Sequence, residues 1–167
     1  AEEVLREWLR GHPDDLEVRF KLGSVLARTD RPAEAEREHA ARSGGKPLRY
    51  PWGNARPSCA RAVMEDGGEG CGRGSTWPVC SKPAGNTAQG LCDMAGNVWE
   101  WVEDCWHDNY IKAPADGSAW VNPGCDKRVV RGGYWASSPD QARSAFRLPA
   151  SPNSRDARVG FRIARDL

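Results

Sequence analysis

Six cysteines, three histidines and a C-terminal set of arginines are the side chains in this 167-residue chain best suited to chemistry. Cys59, Cys71, Cys80, Cys92, Cys105 and Cys125 contain no C-x-x-C pair, which argues against a zinc site or a thioredoxin-like redox pair, since both draw two thiolates from one tight turn. The spacing favours short sequential loops, Cys59–Cys71, Cys80–Cys92 and Cys105–Cys125, over buried free thiols in a reducing compartment. His12, His39 and His107 form no paired-histidine helix motif. His107 beside Asp108 has no nucleophile next to it and reads as an exposed loop residue. Arg131, Arg143, Arg147, Arg155 and Arg162 punctuate a stretch of little regular pattern. Planar guanidiniums there can hold loops through carbonyls and carboxylates, or one can bind an anionic ligand. Of the 8 tryptophans, Trp99 and Trp101 read as core, because rigid rings can substitute for missing sheet. The alternative reading of Trp99, Trp101, Trp106, Trp120 and Trp135 is a ligand-stacking platform.

The charges balance, 24 basic against 23 acidic residues for a net +1. Nucleic acid is therefore not an expected partner, because phosphate binding needs a basic excess to displace counterions. Apolar residues, 39% of the chain, are always interrupted by charges, so no run is long enough to cross a bilayer. A soluble globular piece is expected. The chain begins at Ala1 without a start methionine, which reads as a fragment with room for an upstream domain or targeting signal. The cysteines favour a disulfide-permissive periplasmic or extracellular setting over the cytoplasm.

Two kinds of segment must position these groups. Residues 1–30 predict a helical hairpin: Val4, Leu5, Trp8 and Leu9 form one stripe, Gly11 to Asp14 break it, and Leu16, Phe20, Leu22, Val25 and Leu26 restart it. The stretch from Leu16 to Arg49 also partly resembles one tetratricopeptide repeat, which cannot bury its face without neighbours. Residues 31–167 form the second unit, in which Gly, Pro, Trp and short apolar pieces dominate after Ser43. Arg128 to Arg131 predict a strand running into the Gly132-Gly133 corner, and Val159 to Ala164 a terminal strand. The polar stretch Ala136 to Arg158 is expected to be held by turns.

Three segments carry a family resemblance. Glu34 to Arg42 leading into Tyr50-Pro51-Trp52-Gly53, then Gly90-Leu91-Cys92-Asp93-Met94-Ala95-Gly96-Asn97-Val98-Trp99-Glu100-Trp101, then Arg131-Gly132-Gly133, Arg143, Ala145, Arg147, Arg155 and Gly160-Phe161-Arg162 resemble the formylglycine-generating-enzyme, or sulfatase-modifying-factor, family. The resemblance implies an α+β, loop-rich, C-type-lectin-like domain with a short twisted antiparallel sheet. It departs from the family at Arg37, where the helix motif carries an aromatic, and upstream of Glu34, where the hairpin replaces a longer N-terminal half.

The resemblance also implies a calcium ion held by the side chain of Asp93, the carbonyls of Gly96 and Val98, and the carboxylate of Glu100, a set of hard oxygen donors suited to that ion. Glu103 and Asp104 read as surface acids. The family's copper-binding cysteine pair has no counterpart in Trp135-Ala136-Ser137-Ser138-Pro139, and Ser137 cannot replace a soft thiolate, so neither copper nor iron is expected. One branch of the family displays this region as the variable segment of diversity-generating retroelements. The expected ligand surface is Tyr134, Trp135, Ala136, Ser137, Ser138, Asp140, Phe146, Leu148, Ser151, Asn153, Ser154, Asp156 and Ala157. The first functional expectation is a non-catalytic module that binds a protein or other surface ligand. The alternatives are an enzyme of the same superfamily with catalytic groups outside this chain, and a structural domain that binds through its helical part.

Overall fold

A computed structural model describes residues 34–115 and 118–163, and the hairpin expected over 1–30 lies outside the described residues. The first described element is α1 (Glu34–Ala41), built from good helix formers. It stops because Ser43, Gly44 and Gly45 take positive φ values of 52°, 84° and 74°. The amides of Gly44 and Gly45 turn back to the His39 carbonyl at 3.0 and 3.1 Å, satisfying the helix end. Arg37 and Ala41, one helical turn apart, are both buried.

Four short strands follow: β1 (Trp99–Cys105), β2 (Arg128–Arg131), β3 (Arg147–Ala150) and β4 (Val159–Phe161), in the spatial order β3-β2-β1-β4. The β1–β2 and β2–β3 pairs are antiparallel, with Glu100 opposite Arg131 and Val130 opposite Leu148. β4 lies parallel to β1, with Trp99 opposite Val159, so the sheet is mixed and the expected all-antiparallel arrangement is corrected. A parallel neighbour needs a long crossover, and here residues 106–158 supply it while contributing β2 and β3. β3 interrupts the segment expected to be turns alone; Pro149 is tolerated in it because β3 is an edge strand.

Tyr50, Ala62, Met64, Ala95 and Ala142 form one core cluster, with Trp52 packed against it and stacked on Tyr50 at 5.1 Å. Val102, Val129 and Val130 are buried within the sheet, Trp99 is buried as expected, and Trp101 is half-buried. The loops are stapled by Cys59–Cys71, Cys80–Cys92 and Cys105–Cys125, the pairing that the spacing favours.

Candidate functional site

The turn from Asp93 to Glu100 gathers the loops around it. Its backbone doubles back because Asp93, Gly96 and Asn97 adopt φ values of 51°, 79° and 69°. The Gly96 amide donates to the Gly132 carbonyl and the Asn97 amide to the Val63 carbonyl, both at 2.8 Å, while the Asn97 carbonyl accepts from the Trp135 amide at 3.0 Å. The Asn97 side chain brackets Trp77, accepting from its amide at 3.0 Å and donating to its carbonyl at 3.1 Å. One tight turn thus fixes the corner from which residues 134–158 depart.

Of the four groups expected to hold calcium, Glu100 does not fit that ion, because both of its oxygens face guanidiniums. Glu100 is buried, and its Oε2 accepts from Arg37 Nε at 3.0 Å and Nη2 at 2.8 Å. Arg162 Nη2 donates to Oε1 of the same carboxylate at 2.7 Å. The Asp93 carboxylate accepts the Cys80 amide at 2.7 Å, and the Gly96 carbonyl accepts the Val98 amide at 2.9 Å. Burial pushes the Glu100 carboxyl upward, but Arg37 and Arg162 outweigh it and hold the group below the ordinary carboxylate range. Because its value in the fold lies below the ordinary 4.5, the ion cluster contributes stability above that pH and loses it as pH falls through the depressed value. Thermal unfolding followed through acid pH should show the wild type losing stability more steeply than Glu100→Gln, which cannot titrate there; equal slopes would refute this.

Two further sequence expectations are corrected. Asp104 is a buried acid, accepting from the Trp120 amide at 2.8 Å. His107 is half-buried and stacked on Trp120, with ring centroids 3.5 Å apart. Its Nδ1 lies 3.1 Å from the Cys105 carbonyl and its Nε2 lies 2.9 Å from Asn122 Nδ2. A carbonyl can only accept, so Nδ1 is the donor in its contact with Cys105.

The expected ligand surface divides by burial. Ser138, Asp140, Ser151, Asn153 and Ala157 are exposed. Tyr134, Trp135, Ala136, Phe146, Leu148, Ser154 and Asp156 are half-buried. Tyr134 and Phe146 stack on Trp99 at 6.2 and 6.0 Å, which ties them to the core. Ser137 is fully buried and its hydroxyl accepts the Tyr134 amide at 3.0 Å, so it shapes the corner and presents nothing to a ligand. Asp140 pairs with Arg49 at 3.0 Å, and Asp156 pairs with Arg158, whose guanidinium lies over the Tyr134 ring.

An open depression of about 370 Å³ is lined by Trp106, His107, Asp108, Asn109, Ile111 and Trp120, so two of the tryptophans named as a stacking platform share one hollow. Its signal in the sequence was the density of aromatic and polar residues inside the Cys105–Cys125 loop. It adjoins the C-terminal segment through Arg147, whose guanidinium lies 4.4 Å from the Trp106 ring and 4.3 Å from the Tyr110 ring.

All six cysteines are paired, leaving no thiolate for copper beside the Gly132-Gly133 corner. Among the described residues, Cys80, Cys92 and Asp93 bring potential metal-ligand atoms together, but the two sulfurs are bonded to each other. No helix among the described residues is long and apolar enough to cross a membrane. The three disulfides suit an oxidising compartment.

The model of the sulfatase-modifying factor enzyme 1-like domain matches residues 23–167. The chain is 38% identical over 139 residues to serine/threonine-protein kinase Pkn1 of Chlamydia trachomatis, covering 81% of this chain and 21% of that protein. It is 37% identical over 151 residues to the formylglycine-generating enzyme of Thermomonospora curvata, covering 81% of this chain and 48% of that enzyme. Among solved structures, PvdO from Pseudomonas aeruginosa is similar with a TM-score of 0.72 and 39% identity, over 88% of this chain and 58% of PvdO. Treponema denticola variable protein 1 is similar with a TM-score of 0.63 and 30% identity, over 78% of this chain and 45% of that protein. The chain therefore spans about a fifth to a half of the length of these curated relatives.

Proposed function

The chain belongs to the sulfatase-modifying factor enzyme 1-like domain family, and from that premise we propose that it is a non-catalytic module that binds a protein or other surface ligand through a variable C-terminal face. The observation that carries this reading is the pairing of all six cysteines, which leaves the corner after Gly133 without a redox or nucleophilic thiol. The exposed side chains of Ser138, Asp140, Ser151, Asn153 and Ala157 give the face its variable part, and half-buried Tyr134, Trp135, Phe146 and Leu148 give it rigid apolar anchors. Similarity to a Treponema variable protein supports a displayed, diversifiable surface, which fits diversity by a retroelement. The disulfides support a periplasmic or extracellular setting for it.

Simultaneous substitution of Ser138, Ser151, Asn153 and Ala157 should leave the unfolding temperature nearly unchanged, because exposed positions rarely cost more than about 0.5 kcal/mol each. Ser137→Val should cost about 1–3 kcal/mol, since it leaves the buried Tyr134 amide without its acceptor. Calorimetry across a panel of variants at the exposed positions checks both, and a panel that mostly unfolds would defeat the binding-face reading. The similarity to an enzyme favours a second reading, catalysis completed by groups outside this chain. Oxygen uptake by the full-length protein with copper and a cysteine peptide separates the two: turnover supports the second reading, and none supports the first.

A further inference from the structure

One departure from the family meets a matching motif at one point in this fold. The helix motif carries Arg37 where the family has an aromatic, and that side chain lands on Glu100, the carboxylate to which the resemblance assigns calcium. We propose that the guanidiniums of Arg37 and Arg162 take the place of that metal ion, so that this chain holds its Asp93 to Glu100 turn by a metal-independent ionic lock.

The geometry is that of cations gathering oxygens. Arg37 Nη2 donates to the Met94 carbonyl at 3.1 Å as well as to Glu100, and Arg162 Nη2 donates to the Cys92 carbonyl at 3.0 Å as well as to Glu100. The carbonyls on either side of Asp93 and both oxygens of one carboxylate are thus drawn to two positive groups, as hard oxygen donors are drawn to a metal. Room for the lock is built into the backbone. A Cβ on Gly132 would lie 2.6 Å from Arg37 Nη2, so the glycine at that corner admits the guanidinium.

Charge leaves little place for a dication beside the lock. Arg131 lies within electrostatic reach of Arg37 and pairs with Glu38 at 2.8 Å, while Asp93 lies within reach of Arg162. Four guanidiniums, those of Arg37, Arg42, Arg131 and Arg162, therefore face the carboxylates of Glu38, Asp93 and Glu100. A calcium ion added here would have no counter-charge left, and it would sit against buried cations. The lock joins α1, the turn, β1 and the residue that follows β4, so the scaffold under the C-terminal face would keep its shape where calcium is scarce.

The test begins with the wild-type chain. Its unfolding temperature should be the same in millimolar calcium and in chelator, and terbium should give no saturable tryptophan-sensitised emission that calcium displaces. A calcium-dependent rise of about 5–10 °C, the size expected for a ligand at a hundredfold excess over its Kd in a chain of this length, would overturn the proposal. In a cycle of Arg37→Met and Glu100→Gln, each single change should lower the unfolding temperature and the double change should lower it by less than their sum. Additive losses would also overturn it. Should a single variant not fold, the wild-type titration still decides.

Discussion

Reduction is expected to unfold this protein under conditions where the oxidised form is stable. The disulfides close loops of 12, 12 and 20 residues' separation, and each is expected to contribute about 2–4 kcal/mol by restricting the unfolded chain. Three such contributions rival the whole stability of a typical domain, about 5–15 kcal/mol. The regular structure offers little in compensation, because the described residues hold one two-turn α-helix, one 3-10 turn of 3 residues and strands of 7, 4, 4 and 3 residues. Calorimetry with and without a phosphine reductant should show a loss of tens of degrees, at about 2–4 °C per kcal/mol. Intact mass after alkylation should change only in the reduced sample. Alkylation of all six cysteines in the untreated native protein would sink the expectation.

How legible the fold was depended on whether a signal was local. The cysteine pairs were readable because each closes a short loop, and β2 was readable because Arg128 to Arg131 runs apolar into a glycine corner. β4 was readable as a strand, but its partner was not. Its parallel pairing with β1 joins residues about sixty positions apart and leaves no mark in either segment. β3 was hidden by Pro149, whose presence is explained only once the strand is known to lie at the sheet edge.

The candidate site divides in the same way. A carboxylate next to a glycine turn looks identical whether a metal or an arginine faces it, and Arg37 reaches Glu100 from 63 residues away. Arg37 was visible as an oddity of the helix motif, and its partner was not. Ser137 and Asp104 were read as surface residues on residue type alone. Their burial follows from backbone amides, those of Tyr134 and Trp120, that loop geometry turns toward them. His107 was read as exposed for the same reason, and the ring of Trp120 that covers it comes from the far side of a disulfide loop.

Gly96→Ala is expected to abolish folding, whereas Gly90→Ala, at almost the same backbone conformation, should cost little. The two glycines have φ values of 79° and 81°, so the left-handed penalty for a β-carbon, about 1–2 kcal/mol, is common to both. Their surroundings differ. A Cβ at Gly90 meets nothing within 4 Å, while one at Gly96 would collide with the carbonyl oxygen of Val63 and lie 3.0 Å from its amide nitrogen. Backbone cannot rotate away as a side chain can, so relief would have to come from moving residues 62–64 out of the core. The same shift would break the Asn97 to Val63 and Gly96 to Gly132 hydrogen bonds and release the corner that carries the C-terminal face. The combined loss should exceed about 4 kcal/mol, the range reached only when a mutation damages packing or a special backbone position. Gly160→Ala, within the terminal motif and at an ordinary φ, meets a Val98 methyl at 3.1 Å and no backbone atom closer than 4.0 Å, and should be milder than Gly96→Ala. Soluble yield and calorimetry of the three variants rank them directly. Equal stability of Gly96→Ala and Gly90→Ala would mean that conformational strain alone matters there, and the close packing of the turn on Val63 would be wrong.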